Sequence, residues 1–335
     1  MRFLKVVYVL GVSALTGAAA VAGCGGDDAG SSSSNPAGGT GTGGGPSGDC
    51  SLRHPVCTAV ASDCIAVHDN QGSTKIGLRM AQLTITKPDV LATGYIANLV
   101  AQGLTMNLPL CYLNGTGTFS WLLEFDTATG KLRTGGALPT DDPLAGYCFA
   151  NMTAGEFEIA PTEIDAPLAE GAWSGEAETL NVPIFLETSD EPIILPLHQV
   201  KLTDGKVSAD NNCVGRRNSE ALDPQNACLP GQDGDPPAFI NGGKLSAYIT
   251  LEEVDRVIVP EVNQSLCVVL SGDIGEYGNG GMPNTCKRDE DGKIVLRGDW
   301  CSATNSAATD DCADAYTLGG EYAASAVKIT GLCPQ

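Results

Sequence analysis

The chain of 335 residues has little with which to run chemistry. It holds three histidines, His54, His68 and His198, and its aromatic content is only 5%. So few rings exclude a broad stacking platform for polysaccharide. Bases are scarce too, 19 against 40 acids, for a net charge of −21. Nucleic acid is excluded as a partner, because binding it needs a basic footprint. No two cysteines have the Cys-x-x-Cys-His arrangement of a haem attachment site. There is no H-E-x-x-H, no P-loop and no strand-to-helix dinucleotide fingerprint. The nearest approach to a nucleophile elbow is GAWSGE (171–176), where Gly171 and Ser174 are wrongly spaced; it reads as a turn entering a strand. No repeat recurs at a fixed period.

Long apolar runs are also missing, apart from one at the N-terminus. Arg2 and Lys5 precede an apolar stretch from Val6 to about Ala20, which ends in small residues. This is the layout of an export signal. The run is slightly short of the ~20 residues that span a bilayer, so a cleaved signal is expected rather than an uncleaved anchor. Immediately after it comes Val21-Ala22-Gly23-Cys24.

That quartet resembles the lipobox of bacterial lipoproteins: a branched apolar residue, two small residues, then cysteine. The resemblance implies cleavage after Gly23, a diacylglycerol thioether on Cys24 and acylation, palmitate included, of the new N-terminus. Several acyl chains anchor stably, each buried CH₂ contributing ~0.8 kcal/mol. The next residue is Gly25 rather than Asp, which resembles an outer-membrane destination. The expectation is an exported, lipid-anchored protein on the periplasmic or cell-surface face of the outer membrane.

Cysteine arithmetic follows. Setting Cys24 apart from the 13 cysteines leaves twelve: Cys50, Cys57, Cys64, Cys111, Cys148, Cys213, Cys228, Cys267, Cys286, Cys301, Cys312 and Cys333. An even number in an exported chain reads as up to six disulfides. If Cys213 pairs with Cys228 to pin the loop 211–243, the groups on either side are odd. A bridge then ties the N-terminal part to the C-terminal part.

Three segments are expected: a signal peptide over 1–23, a lipidated cysteine with a disordered Gly/Ser-rich tether over 24–49, and a body over 50–335 with a candidate subdivision near 260. The tether has no large apolar residue and cannot bury a core. The body is long enough for a sizeable core. Removing Arg2 and Lys5 leaves 17 bases against 40 acids, a mature charge of −23. Such a body is soluble and repels anionic surfaces.

Within the body, Cys57, Val60, Ala61 and Cys64 share one face of a short helix that Pro55 can begin. AQLTIT (81–86) is a strand. Asp89 is expected to cap a helix carrying Leu91, Tyr95, Ile96, Leu99 and Val100 on one face, with Gly103 ending it. GTFSWLLEFDTATGKLRTGG is a hairpin, with Phe119, Trp121, Leu123 and Phe125 on one side. Strands follow at 155–160, 178–187 and 192–202; Pro183, Pro192 and Pro196 place the last two at an edge or bulge. TDGKVS (203–208) reads as a turn and return. KLSAYIT is a strand running into a helix at Thr250, which with Glu253 has capping-box spacing. SLCVVLSG, KIVLRGDWC and GEYAASAVKITGLC read as strands. The fold class expected is mainly β or α+β: a disulfide-rich, β-sandwich-like body with two or three short helices.

Few constellations carry chemistry. His54, Cys57, Cys64 and His68 are zinc-ligand types, but their spacing matches no common finger and exported cysteines oxidise. Asp289-Glu290-Asp291-Gly292, Asp233-Gly234-Asp235 and the group Asp310, Asp311 and Asp314 offer fragments of a calcium loop. None has the full ligand spacing, so acidic turns are expected, with calcium the one cofactor in view. His198 stands alone and reads as a satisfied strand residue. Trp121, Trp173 and Trp300 are candidates for stacking on a sugar, the first more fitted to the core. The chain as a whole is similar in style to acidic, cysteine-rich surface lipoproteins of myxobacterium-like bacteria, a likeness that carries no functional residues across. The expected function is a non-catalytic envelope lipoprotein with a structural, binding or adhesion role towards an unnamed protein or glycan. The alternative is an extracytoplasmic hydrolase of glycans or lipids, in which two carboxylates, or His198 beside a nucleophile, line a cleft.

Overall fold

A computed structural model describes residues 50, 54–58, 60–61, 63–186, 189–223, 228–230, 237–302 and 312–334. Nine strands make one antiparallel sheet: β1 (Lys75–Lys87), β2 (Trp121–Asp126), β3 (Lys131–Gly136), β4 (Thr162–Asp165), β5 (Ala172–Leu186), β6 (Ser189–Lys206), β7 (Cys213–Val214), β8 (Gly243–Thr250) and β9 (Ala315–Ala326). Their order is β5-β6-β8-β9-β1-β2-β3-β4. The short β7 continues the line of β8 along β9, with Cys213 opposite Ser325.

The body is mainly β, as the alternating patterns require, but its sheet curls into a near-barrel rather than a flat sandwich. β5 comes round against β3 and β4 without a ladder between them. Glycine makes the approach possible: a Cβ on Gly136 would lie 2.3 Å from Cδ of Pro183, and one on Gly175 would lie 2.7 Å from Cδ1 of Ile164. Pro183 also lacks the N–H that a ladder needs. A backbone bond crosses the seam nearby, from Phe185 N to Thr118 O at 3.3 Å. Inside, Phe119, Trp121, Leu123 and Phe125 are buried together, as their alternation predicts. Trp173 meets Phe125 edge to face, with centroids 4.8 Å apart. The outer face of β2 is buried as well, Leu122 packing with Tyr147, Phe149 and Val327.

Local chemistry explains the other elements. The β2–β3 turn closes on Asp126, whose Oδ1 accepts from Ala128 and Thr129, and Gly130 takes a φ of +68°. Prolines sit at an edge as expected: β5 forms a ladder with β6 alone, and β8 pairs with β6 only from His198 to Thr203, so Pro192 and Pro196 lie beyond that pairing.

Several expectations fail for identifiable reasons. The first helix, α1, is one turn (Pro55–Thr58), because Cys57 and Cys64 are drawn to different partners. The long helix breaks at Thr93 into α2 (Asp89–Ala92) and α3 (Gly94–Leu104). Asp89 lies inside the first turn of α2, and Pro88 holds the cap position. Gly103 does not end α3; its missing Cβ lets Phe119 approach, where a Cβ would lie 2.9 Å away. TDGKVS is not a turn. β6 runs through it to Lys206, with a bulge marked by Asp204 at φ +55°. SLCVVLSG is a helix, α5 (Leu266–Ser271). Ser265 Oγ caps it by accepting from Val268 N, and Gly272 closes it at φ +67°. With Leu266, Cys267, Val268 and Leu270 all buried, apolar period alone does not separate it from a strand. KIVLRGDWC forms only isolated bridges, at Ile294 and Trp300. The capping box at Thr250 does start a helix, α4 (Leu251–Val254), and α6 (Ile274–Tyr277) follows α5. Six helices are thus described, all but α3 of six residues or fewer.

Six disulfides pin this frame: Cys50–Cys228, Cys57–Cys111, Cys64–Cys213, Cys148–Cys333, Cys267–Cys286 and Cys301–Cys312. Cys213 and Cys228 do not pair with each other; each reaches back to the N-terminal segment instead. Cys148–Cys333 still ties early chain to late chain, although the Cys213–Cys228 pairing from which such a tie was argued does not form. So many disulfides place the body in an oxidising, extracytoplasmic environment. Among the described residues no helix is long and apolar enough to cross a membrane. The described residues form one unit.

Candidate functional site

One grouping of chemistry-bearing side chains lies on the outer face of β6 and β8. In β8, Leu245, Ala247 and Ile249 face the core, so Tyr248 and Thr250 point outward. His198 of β6 lies directly opposite Tyr248, and their rings stack at 5.4 Å between centroids. Trp300 stacks on Tyr248 at 5.9 Å, with its backbone held by a bridge to Ala315. The result is a row of three rings, with Tyr248 covered and Trp300 44% exposed at the end.

The capping box brings in a carboxylate. Thr250 begins α4, and one turn later Glu253 comes back over the sheet. Its Oε2 lies 2.5 Å from His198 Nε2 and accepts from Thr250 Oγ1 at 2.5 Å. Burial works to raise the Glu253 carboxyl, but the hydrogen bonds from His198 and Thr250 outweigh it and hold it below the usual glutamate range. The carboxylate is therefore the acceptor and Nε2 carries the proton. In a hydrolytic triad the hydroxyl contacts the imidazole nitrogen that the carboxylate leaves free. Here hydroxyl and imidazole meet the same carboxylate oxygen, so the imidazole has no path to the hydroxyl proton. The geometry is that of a clamp joining α4 to β6 through His198 Nε2.

Other candidates from the sequence are dispersed. Cys57 and Cys64 are in separate disulfides, His54 is exposed and His68 is half-buried, so the four do not form a zinc site. In the Asp289–Gly292 loop, Asp289 Oδ1 accepts from the backbone of Asp291 and Lys293, at 3.0 and 2.9 Å. It organises its own turn, while Asp291 is exposed. Asp233, Gly234, Asp235, Asp310 and Asp311, like Cys24, lie outside the described residues. Asp314 is buried and accepts from Ser302 N and Oγ, at 2.7 and 2.5 Å. Ser174 is exposed on β5 beside Gly171, whose φ of +81° makes the expected turn into the strand. Of the three tryptophans, Trp121 is buried with Nε1 on Thr134, Trp173 is buried, and Trp300 reaches solvent. Asp255 approaches Cys267 and Cys286 closely, but the two sulfurs are bonded to each other. Its carboxylate accepts from Ser265 Oγ, Cys286 N and Arg288 Nη2.

Two open cavities of about 330 and 370 Å³ lie elsewhere. The first is bounded by Lys87, Asp89, Val90, Leu270, Asp299 and Tyr316; the second by Leu138, Met152, Thr153 and Cys333 among others. Neither is lined by the His198 clamp. Sequence reasoning missed Arg79, which is 1% exposed. A lone arginine inside the apolar run IGLRMAQL was the available signal. No family model matches this chain, and no curated protein or solved structure is found to be similar to it.

Proposed function

We propose that this protein is a lipid-anchored envelope lipoprotein whose body is a non-catalytic scaffold for structure, binding or adhesion. The observation that carries the reading is the cysteine count. The six disulfides use twelve of the thirteen cysteines, and the one they do not use is Cys24. That cysteine ends the lipobox-like quartet, where a thioether to diacylglycerol accounts for it. Gly25 favours the outer membrane as the destination. The Gly/Ser-rich tether gives a root-mean-square reach of roughly 25–30 Å, which stands the acidic body away from the headgroups. What supports the scaffold reading is the clamp: Thr250 Oγ1 and His198 Nε2 both meet Glu253 Oε2, so this hydroxyl does not face the imidazole nitrogen that the carboxylate leaves free.

The test is processing in a bacterium that matures lipoproteins. The chain should incorporate labelled palmitate and partition into the detergent phase, and Cys24→Ala should lose both properties while the body keeps its six bridges. An unlabelled wild-type chain, or a Cys24→Ala chain that still carries lipid, refutes the anchor. Hydrolysis of ester or glycoside substrates that disappears in His198→Ala would overturn the scaffold reading.

A further inference from the structure

The six disulfides are not equivalent. Cys57–Cys111, Cys64–Cys213 and Cys267–Cys286 have both residues buried, at 3% exposure or less. Cys50–Cys228 and Cys148–Cys333 each have one buried cysteine, Cys228 and Cys333. In Cys301–Cys312 neither residue is buried: Cys301 is exposed and Cys312 is half-buried. This bridge also closes the shortest loop, with a sequence separation of 11 against 19 to 185 for the others.

Thiol–disulfide exchange requires a thiolate to reach one sulfur, and exposed bridges are the labile ones. A second requirement for a usable exchange site is that the surroundings survive opening. Here non-covalent bonds duplicate the bridge. Ser302, next to Cys301, donates its N–H and hydroxyl to the buried carboxylate of Asp314, two residues after Cys312. Trp300, on the other side of Cys301, exchanges backbone bonds with Ala315 at 2.9 and 3.1 Å. Ala315 belongs to β9, in the middle of the main sheet. Both cysteines therefore stay tethered to the sheet when the S–S bond opens, and the short loop means that less unfolded-state constraint is lost than on opening any other of the six bridges.

We propose that Cys301–Cys312 is a reversible exchange site for an extracytoplasmic dithiol, and the one bridge that opens while the body stays folded. One thiolate of the dithiol attacks the Cys301 sulfur. The S–S bond breaks, and its electron pair leaves on Cys312 Sγ, which takes a proton from water. The second thiolate of the reagent then attacks its own sulfur in the mixed disulfide, releasing Cys301 as a thiolate that is likewise protonated. The dithiol ends as a cyclic disulfide, and two electrons have passed to the protein. Reoxidation reverses the steps.

The experiment uses the full-length oxidised protein in detergent, with dithiothreitol as the probe. Samples are quenched with iodoacetamide over time, alkylated cysteines are mapped by mass spectrometry, and near-ultraviolet circular dichroism is followed in parallel. Cys301 and Cys312 should become alkylated together, roughly ten-fold faster than any other pair, with the dichroism unchanged. Earlier labelling of another pair, release of all twelve thiols in one event, or loss of dichroism in step with Cys301 overturns the proposal. In the double variant Cys301→Ser with Cys312→Ser, the fast phase should vanish and the other ten cysteines should keep their rates. Should that variant fail to fold, the tolerance of the open bridge is refuted by that result.

Discussion

Replacing Arg79 should test how the curled sheet holds its helix. Arg79 sits in β1 with no solvent contact. Its Nε donates to Ser120 Oγ at 2.8 Å, Nη1 to the carbonyls of Leu104 and Met80 at 2.6 and 3.2 Å, and Nη2 to Phe119 O at 3.0 Å. The Tyr147 ring lies 5.3 Å below the guanidinium carbon. Burial pulls its pKa down, yet arginine stays charged at any accessible pH. The negative end of the α3 dipole, at Leu104, faces that charge. Arg79→Met removes the charge and its desolvation cost, but leaves the close acceptors on Leu104, Phe119 and Ser120 without a donor. Each orphaned buried acceptor costs ~1–3 kcal/mol, and relief of the buried charge returns several kcal/mol of that total. The net expectation is a loss of about 3 kcal/mol. Arg79→Lys keeps the charge but cannot span four acceptors, so it should cost about as much, in the range of a broken buried pair, ~3–5 kcal/mol. Guanidinium chloride unfolding of the oxidised chain measures this as a lower midpoint at constant slope. A loss under about 1 kcal/mol for both variants would show that the α3 end is held by packing alone, and the argument from orphaned carbonyls would fall.

Three further outcomes are expected of the same fold. Glu253 has its folded pKa below the unfolded value, so the clamp stabilises above the ordinary glutamate range and that contribution is lost as pH falls through the folded value. Melting temperature against pH should show this acid limb, and Glu253→Gln should flatten it. Trp121→Ala should cost ~3–5 kcal/mol as a core cavity, whereas Trp300→Ala, at a half-exposed ring, should stay within about 1 kcal/mol; equal losses in denaturant titrations would contradict the assigned burial. Removing Cys148–Cys333 should cost roughly 5 kcal/mol and Cys301–Cys312 roughly 3 kcal/mol on the loop-entropy relation, a ranking that paired Cys→Ser variants would reverse if native strain dominates.

Much of the body was legible where one face repeats. Phe119 to Phe125 alternate, and the hairpin lies where that alternation and TATG put it. The Thr250–Glu253 spacing starts a helix as written. Legibility ended where a segment is buried on all sides, as in SLCVVLSG, since an apolar run without a polar face has no period to read. It ended again at Asp204, whose φ of +55° suits a bulge as well as a turn. The candidate site shows the same limit. His198, Tyr248, Glu253 and Trp300 span more than a hundred residues, and only the β6–β8 register and the β9 bridge bring them together.

Composition and local pattern determined the acidic charge, the even set of body cysteines and the prevalence of strands, because these depend on residue type and near neighbours. The tertiary structure decided which cysteine meets which, that the sheet curls instead of stacking, and that His198 is clamped by Glu253. Those outcomes depend on where distant segments cross, and a linear sequence does not display its crossings until the backbone closes on itself at contacts such as Gly136 under Pro183.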